Sequence, residues 1–245
     1  MNDTIDILMN HMSVRKYKDQ PVEREISDII VSCAERSPTS NHFQAYTIIE
    51  VQSQSKKEFL AHISGEQEWV AEAPLVLLFC ADLKRGQKYY ENVDKEIFHN
   101  AECYTAAVVD ASLAMQRAYV AAQSLGLGGV IVGGIRNRIE ETAKEFKLPT
   151  MVAPLFLLCL GYPDQNPGLK PRLPRKEIYK IDFYDDSDQD ELIAEYNETV
   201  SQYYVKRTGG EINDRWTERC GKSLEEEPGY AVGPFLKSAG FLTHS

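Results

Sequence analysis

The side chains of this 245-residue chain that are best suited to chemistry are donors to an anion, and they occur in separate stretches. The first stretch, His11 to Tyr17, places an imidazole, a hydroxyl and the cations Arg15 and Lys16 within seven residues. Donors of this kind suit a phosphate group. A solvated basic turn is the alternative for this stretch taken alone.

A second cationic stretch, Pro167 to Lys176, places four cations in seven residues between prolines. Because proline fixes the backbone and removes a donor, the stretch is expected to be extended and stiff. Cations on a stiff segment of an acidic protein suit a phosphate, and a solvated linker is the alternative.

Two further stretches lack acidic residues and could contact a ligand. Ser37 to Gln44 offers hydroxyls, two amides and an imidazole, although a turn-forming loop is its default interpretation. Val130 to Val132 is predicted to be a short strand, and Gly133 and Gly134 follow it. A turn without side chains could approach a ligand closely.

No nucleophile, general base or metal site accompanies these donors. The sequence contains no GxSxG, HExxH, CxxC or P-loop pattern, and its five histidines are widely spaced. Gly126 and Gly128 do not complete a GxGxxG pattern and follow a helix rather than a strand. Donors without a reactive side chain are expected where an organic cofactor supplies the chemistry.

Composition excludes several classes of protein. The net charge of -10 argues against a nucleic-acid partner, because phosphate neutralisation dominates such binding. Five cysteines, an odd number without CxxC, indicate a reduced, cytoplasmic protein. The start of the chain lacks a secretory signal, and its apolar runs are too short or too charged to span a membrane.

The donors are expected to be positioned around one long helix, Ala101 to Leu125, which is apolar on nearly every side. Such a helix must be buried, and at a rise of 1.5 Å per residue it would span roughly 37 Å. That length predicts that part of the helix faces a second copy of the chain.

The other helices and strands are predicted from the hydrophobic periodicity of the sequence, from helix-capping residues and from helix-breaking residues. The N-terminal helix is expected to be capped by Asp3, the next helix to bury Ile26, Ile29, Ile30 and Cys33, and Ser55 to Glu58 to form a capping box. The segment between Asp82 and His99 shows no period and is predicted to be a mobile cover. The remaining predictions are strands at 46–51, 75–80 and 153–161, and helices ending at Leu148, at 189–204 with Tyr203 inward, and at 234–239.

Together these stretches resemble the FMN-dependent nitroreductase family, particularly its longer branch of oxygen-insensitive NAD(P)H nitroreductases and flavin reductases. The resemblance covers nearly the whole chain, and the order and spacing of its motifs make it specific. The motifs are His11-x-Ser13-x-Arg15, Ser37-Pro38-Thr39 with Gln44, Gly65-x-Gln67, Ser124-Leu-Gly-Leu-Gly-Gly, Gly133-Gly134-Ile-Arg136-Asn137 and Lys170-Pro-Arg172-Leu-Pro.

The resemblance implies an α+β fold with a central mixed, mainly antiparallel sheet flanked by helices. It implies a homodimer with FMN at each of two subunit interfaces and the long helix in the dimer core. Residues 1–245 would form one nitroreductase-like domain whose C-terminal extension, from about 180 to 245, packs on the dimer.

The resemblance also implies the site residues, and it assigns no catalytic side chain and no metal ligand. The FMN contacts would be His11, Met12, Ser13, Arg15, Thr39, Ser40, Asn41, Gln44, Gln67, Ile131, Val132, Gly133, Gly134, Lys170 and Arg172. Of these, Thr39, Ser40, Asn41 and Gln44 would come from the partner chain. NAD(P)H or the acceptor would contact His42, Phe43, Arg136 and Arg207.

The implied reaction passes a hydride from NADPH or NADH through flavin N5 to a nitroaromatic, a quinone or free flavin, with ping-pong kinetics. Protein donors near flavin N1 and O2 would stabilise the charge that develops there, so no side-chain base is required. The alternatives are a flavin carrier or sensor without turnover, and a related flavoenzyme that dehalogenates or oxidises a ring.

Three departures from the family pattern leave details open. Met12 stands where relatives usually have arginine, and His42 stands where many have asparagine. After Arg207, the stretch that carries further cations in the longer branch offers Ile212 and then Glu225, Glu226 and Glu227. The preference for NADPH over NADH is therefore undecided by the sequence.

Overall fold

A four-stranded antiparallel sheet organises the larger of the two units of the chain. Its strands are β1 (Tyr46–Glu50), β2 (Leu75–Asp82), β3 (Gly128–Val132) and β4 (Val152–Gly161), in the order β1-β2-β4-β3. Each neighbouring pair is antiparallel, and a parallel bridge joins Ser13 to Gly129 beside β3. The expected α+β fold with a mainly antiparallel sheet is confirmed.

The computed structural model describes residues 2–244, which form two units. The sheet unit comprises residues 2–167 and 229–244, and the helical unit comprises residues 168–228. The helices of the sheet unit are α1 (Asp3–Met9), α2 (Arg24–Glu35), α3 (Gln54–Ile63), α4 (Glu68–Glu72), α5 (Lys84–Tyr89), α6 (Ala101–Ser124), α7 (Ile139–Glu145) and α11 (Val232–Ser238). Those of the helical unit are α8 (Arg175–Ile178), α9 (Gln189–Thr208) and α10 (Trp216–Glu226). None of these helices is long and apolar enough to cross a bilayer.

Strand β2 is buried along its whole length because helices cover both faces of the sheet. Leu77 and Phe79 pack with Ile30 of α2 and with the long helix α6, whereas Val76 and Leu78 pack with Leu60 of α3. Alternate residues of a strand point to opposite faces, so an apolar run can serve two cores. The sequence correctly predicted a doubly buried strand here.

The long helix is present, but this chain covers only one side of α6. Its buried side is rich in alanine, including Ala111, Ala114 and Ala118, which lets the helix lie close to the sheet. On the other side the side chains of Val109 and Leu113 are 47% and 39% exposed. Within a single copy of the chain, therefore, one face of α6 is buried and the opposite face is not.

Two N-terminal predictions were wrong in detail. The cap of α1 is Asn2, whose Oδ1 accepts from the Ile5 N–H at 3.0 Å, because the helix already includes Asp3. In α2 Ile30 is fully buried, but Ile29 is 49% exposed and lines an open groove between α1, α2 and α6.

Several other local signals were also misleading. The predicted capping box fails because α3 begins at Gln54 and the Ser53 hydroxyl pairs with that of Ser55, at 2.8 Å, instead of with the backbone. The segment between Asp82 and His99 shows no period in the sequence, yet it contains α5 and a 3₁₀ helix, Lys95–His99. In α9 Tyr204 is buried, whereas Tyr203, which was predicted to face inward, is half-buried and packs against the same cluster.

Candidate functional site

The segment His11 to Arg15 is fixed to the start of β3 by backbone hydrogen bonding. The Val14 N–H donates to the Gly129 carbonyl at 2.8 Å, and the buried Tyr119 hydroxyl of α6 donates to the same oxygen. Val14 is buried, whereas Ser13 is half-buried and Arg15 is exposed. The helix and the strand together present the polar side chains of this segment outward.

The Arg15 guanidinium lies over the Trp69 ring, 5.4 Å from its centroid, a cation–π contact that orients the arginine. Among residues 2–244, Arg15 forms no ion pair with a carboxylate. The His11 ring meets the edge of Tyr119 at 5.3 Å between centroids. This arrangement leaves Arg15 oriented and without a neutralising partner, which suits an anionic ligand.

Burial raises the pKa of Tyr119 from its ordinary value of 10.0 to about 12, and burial also raises the pKa of Tyr17. Between pH 10 and 12 the unfolded chain loses the Tyr119 proton while the folded chain keeps it. The free energy of unfolding should therefore fall with rising pH in this window, by up to about 1.4 kcal/mol per unit for one such group. Urea unfolding at several alkaline pH values should show a shallower fall for Tyr119→Phe than for the wild type; equal slopes would contradict this assignment.

The glycine turn after β3 meets the end of α3. A Cβ on Gly134 would lie 2.8 Å from the Ser64 carbonyl oxygen, so glycine permits the close approach. The Gln67 side-chain amide donates to that same oxygen at 2.7 Å. Gln67 and the turn thus lie at one corner of the sheet unit. Among residues 2–244, the buried Ser64 hydroxyl at this corner has no hydrogen-bond partner.

Three predicted residues near this turn differ in orientation. Ile131 is 39% exposed, whereas Val132 is 3% exposed, so Val132 can offer a ligand only its backbone. Arg136 is half-buried, and its Nη1 donates to the Leu155 carbonyl oxygen at 2.5 Å. The Arg136 side chain therefore stabilises the fold through its hydrogen bond to β4. Its contact with NAD(P)H or the acceptor stays a prediction.

The loop Thr39–Gln44 has an unusual backbone for residues other than glycine. Asn41, His42 and Gln44 have φ angles of 45°, 61° and 51°, a left-handed conformation that side chains disfavour. From Ser40 to Gln44 the side chains are exposed, and the Phe43 ring lies 5.9 Å from that of Tyr90. Exposed polar groups on a strained but defined backbone are typical of a binding loop.

Asp110 of α6 anchors this loop and was missed by the sequence analysis. Its carboxylate is fully buried; Oδ1 accepts from the Ser40 N–H at 2.9 Å and Oδ2 accepts from the Ala45 N–H at 3.0 Å. The available signal was one acidic residue inside an apolar helix, where a buried charge needs donors.

Segment 82–99 supplies two further anchors that sequence reasoning also missed. Arg85 Nη2 donates to the Gln44 carbonyl oxygen at 3.0 Å and to that of Tyr46, and Arg85 pairs with Asp82 at 3.0 Å. The Tyr90 hydroxyl donates to the Phe43 carbonyl oxygen at 3.2 Å. The segment thus packs against the loop, in regular short helices.

The Thr39–Gln44 loop and the His11 segment contact α6 at different positions along the helix axis. Asp110 holds the loop, whereas Tyr119 contacts His11 nine residues further along. At 1.5 Å per residue these positions are about 13 Å apart along the helix. Within one copy, therefore, the predicted partner-chain contacts lie apart from the predicted contacts of the same chain.

In the helical unit, α9 orients the cationic segment that contains Lys170 and Arg172. The Tyr196 hydroxyl donates to the Pro171 carbonyl oxygen at 3.1 Å, and the Lys170 ammonium lies over the Tyr204 ring at 5.6 Å. Arg172 is exposed and donates to the Lys170 carbonyl oxygen at 2.9 Å. Residues 168–174 have no regular secondary structure, but Arg175 and Lys176, which were predicted to be extended, begin α8 directly after Pro174.

Arg207 lies near the end of α9 and is exposed. Its Nη1 donates to the Tyr203 hydroxyl at 2.7 Å. In the part of the chain that the structure describes, no group of three or more His, Cys, Asp or Glu side chains is arranged to hold a metal.

The sequence matches two family profiles that together span most of the chain. The Nitroreductase family profile matches residues 8–162, and that of the Nitroreductase family C-terminal domain matches residues 170–244. The chain is 35% identical to an FMN reductase (NADPH) of Bacillus subtilis, covering 98% of this chain and 99% of that protein. It is 36% identical to an oxygen-insensitive NADPH nitroreductase of Salmonella typhimurium, covering 99% and 100%.

Solved structures of similar proteins agree with the two family profiles. The fold superimposes on a nitroreductase from B. subtilis with a TM-score of 0.95 at 34% identity, covering 99% of this chain and 100% of that one. It superimposes on an NADPH:FMN oxidoreductase from Vibrio harveyi, complexed with NAD+, with a TM-score of 0.89 at 31% identity and the same coverage. In sequence along nearly its full length and in fold, this chain belongs to the nitroreductase family.

Proposed function

We propose that this protein is an FMN-dependent oxidoreductase that uses NADPH or NADH to reduce nitroaromatics, quinones or free flavin. The observation that carries the proposal is Arg15, oriented on Trp69 without a carboxylate partner, on a segment fixed to the strand that leads into the Gly133–Gly134 turn. The full-length similarity to an FMN reductase and a nitroreductase supports it.

The donor set fits FMN chemically. His11, Ser13 and Arg15 offer donors to the phosphate and to the polar edge of the flavin, and we assign Met12 only backbone contact. Gln67 and the turn offer amide groups on a backbone free of side chains. Within the helical unit, Lys170 and Arg172 are exposed cations of a kind that suits a phosphate.

FMN bound there would supply the redox chemistry, hydride transfer between the nicotinamide and the acceptor. The chain binds and orients the cofactor and places donors where negative charge develops. No side chain is required as a base. We assign contact with NAD(P)H or the acceptor to His42 and Phe43, whose side chains are exposed.

We also propose a homodimer in the cytoplasm. Several apolar side chains on α1, α2 and α6 are exposed within one copy: Ile5, Leu8, Met9, Ile29, Val109 and Leu113. A groove of about 830 Å³ runs between the same three helices. Leu8 and Ile29 line this groove, and exposed apolar side chains in a groove support an interface there. In the dimer, the Thr39–Gln44 loop would serve the flavin of the partner.

The proposed function is tested by anaerobic reduction of the FMN-loaded protein with NADH and NADPH in parallel, followed by the flavin absorbance. We expect rapid bleaching with at least one nucleotide and reoxidation by a quinone or nitroarene. Bound flavin that neither nucleotide reduces would select a flavin carrier or sensor instead. Failure to bind FMN would refute the proposal.

Arg207→Ala should raise the KM for NADPH and leave the KM for NADH unchanged. The exposed Arg207 guanidinium offers donors that suit the 2′-phosphate present only in NADPH. Steady-state kinetics with both nucleotides measure the effect, and Lys206→Ala is the control for a nearby cation. Equal changes for the two nucleotides would exclude a role in 2′-phosphate recognition.

A further inference from the structure

We propose that Asp110 is a positioning residue for the flavin site: its buried carboxylate sets the conformation in which the Thr39–Gln44 loop reaches the flavin of the partner subunit. This inference rests on the proposed function. Asp110 touches neither cofactor nor substrate in the proposal and acts through the loop.

The loop needs an external anchor because its backbone conformation is unfavourable. Asn41, His42 and Gln44 are all left-handed, and a free loop of these residues would populate other conformations. Such a conformation persists only where surrounding contacts determine it.

Asp110 accepts hydrogen bonds from the backbone at both ends of the loop. One oxygen accepts from Ser40, just inside the N-terminal end, and the other accepts from Ala45, just past the C-terminal end. A carboxylate is needed because a single side chain must accept from two backbone N–H groups on different sides. The buried positions next to Asp110 in α6 are alanines, so an apolar residue would also fit the packing of the helix at this position. The carboxylate is therefore explained by its hydrogen bonds.

The other anchors act on a different part of the loop. Arg85 and Tyr90 donate to the carbonyl groups of Gln44 and Phe43, in the C-terminal half. Neither of them contacts the Ser40 N–H, which donates to Asp110. Loss of Asp110 should loosen the N-terminal half, where Ser40 and Asn41 are expected to meet the flavin.

The direct test compares Asp110→Asn with Thr142→Val. Asparagine preserves shape but replaces one acceptor by a donor, which opposes a backbone N–H. Thr142 is equally buried and donates to the Ile135 carbonyl oxygen at 3.0 Å, without contact to the loop, so it controls for general loss of stability. For Asp110→Asn we expect faster hydrogen exchange at residues 40–45 and about tenfold weaker FMN binding, as for loss of a hydrogen bond to a charged group. Thr142→Val should change neither.

A second pair of variants keeps the test decisive if Asp110→Asn fails to fold. Ser40→Pro removes the N–H that Asp110 accepts from, at the first position of a 3₁₀ helix that tolerates proline. Thr39 before it is already extended, with φ -135° and ψ 154°. Ser40→Ala removes the hydroxyl and keeps the N–H. We expect Ser40→Pro to weaken FMN binding several-fold more than Ser40→Ala, and equal affinities would overturn the proposal.

Mixed dimers test the action across the interface. If the loop serves the partner, a dimer of one Arg15→Ala and one Asp110→Asn subunit has one site with both defects and one with neither. It should bind one equivalent of FMN with wild-type affinity, although neither homodimer does. A mixed dimer with two weakened sites would overturn action on the partner.

The outcomes separate the two proposals. If the wild type does not bind FMN, the proposed function is wrong and this inference falls with it. If the wild type binds FMN and Asp110→Asn binds it equally well, the positioning role alone is wrong.

Discussion

Arg15→Ala and Arg172→Ala should each weaken FMN binding by about 1.5 to 3 kcal/mol, or about 10- to 150-fold in Kd. Each variant removes a guanidinium that is proposed to donate to the phosphate or to the polar edge of the flavin. The Arg15 effect should be the cleaner one, because its guanidinium lies over the Trp69 ring and, among residues 2–244, pairs with no carboxylate. Titration of the apoprotein with FMN, followed by quenching of flavin fluorescence, measures both.

Neighbouring cations provide matched controls for these variants. Lys16→Ala and Arg175→Ala remove an exposed positive charge close in sequence, so they change the net charge equally without removing the proposed donor. We expect them to shift Kd only slightly, through long-range electrostatics that salt screens. Unchanged affinity in both Arg15→Ala and Arg172→Ala would show that the phosphate binds elsewhere.

Gly129→Ala should lower the free energy of unfolding by about 3 kcal/mol or more, the upper range for forced overpacking. A Cβ on Gly129 would overlap the Cys159 carbonyl oxygen and lie 2.8 Å from Leu160 Cδ2. Both neighbours belong to β4, in the centre of the sheet, so the strand itself must move. Since the Gly129 carbonyl also receives the Val14 N–H, movement of β3 should displace the Arg15 segment and weaken FMN binding as well.

Gly126→Ala is the control that separates crowding from backbone strain. Gly126 has φ +81°, and a Cβ there would have no neighbour within 4 Å. Its substitution should cost roughly 1 to 2 kcal/mol, the cost of a left-handed conformation for an L-residue. Urea unfolding compares the two variants with the wild type. A loss in Gly129→Ala no greater than in Gly126→Ala would contradict the predicted crowding.

The sequence by itself determined the elements whose signals are local. The continuous apolar run of β2 and the length of α6 were predicted correctly because burial on two faces and helical periodicity leave patterns within one segment. The order of the donor motifs was sufficient to indicate the family, which the profiles confirmed. The assignments of individual residues to FMN stay predictions.

Only the tertiary structure decided which faces are covered and which side chains hold the binding loop. Ile29 has the same apolar character as Ile30, and its exposure depends on which elements surround α2. Asp110 and Ser40 are 70 residues apart, and no periodicity or motif links a carboxylate to a backbone N–H at that separation. The physical reason is that the hydrogen bonds of a buried charge are formed by whatever the folded chain brings to it.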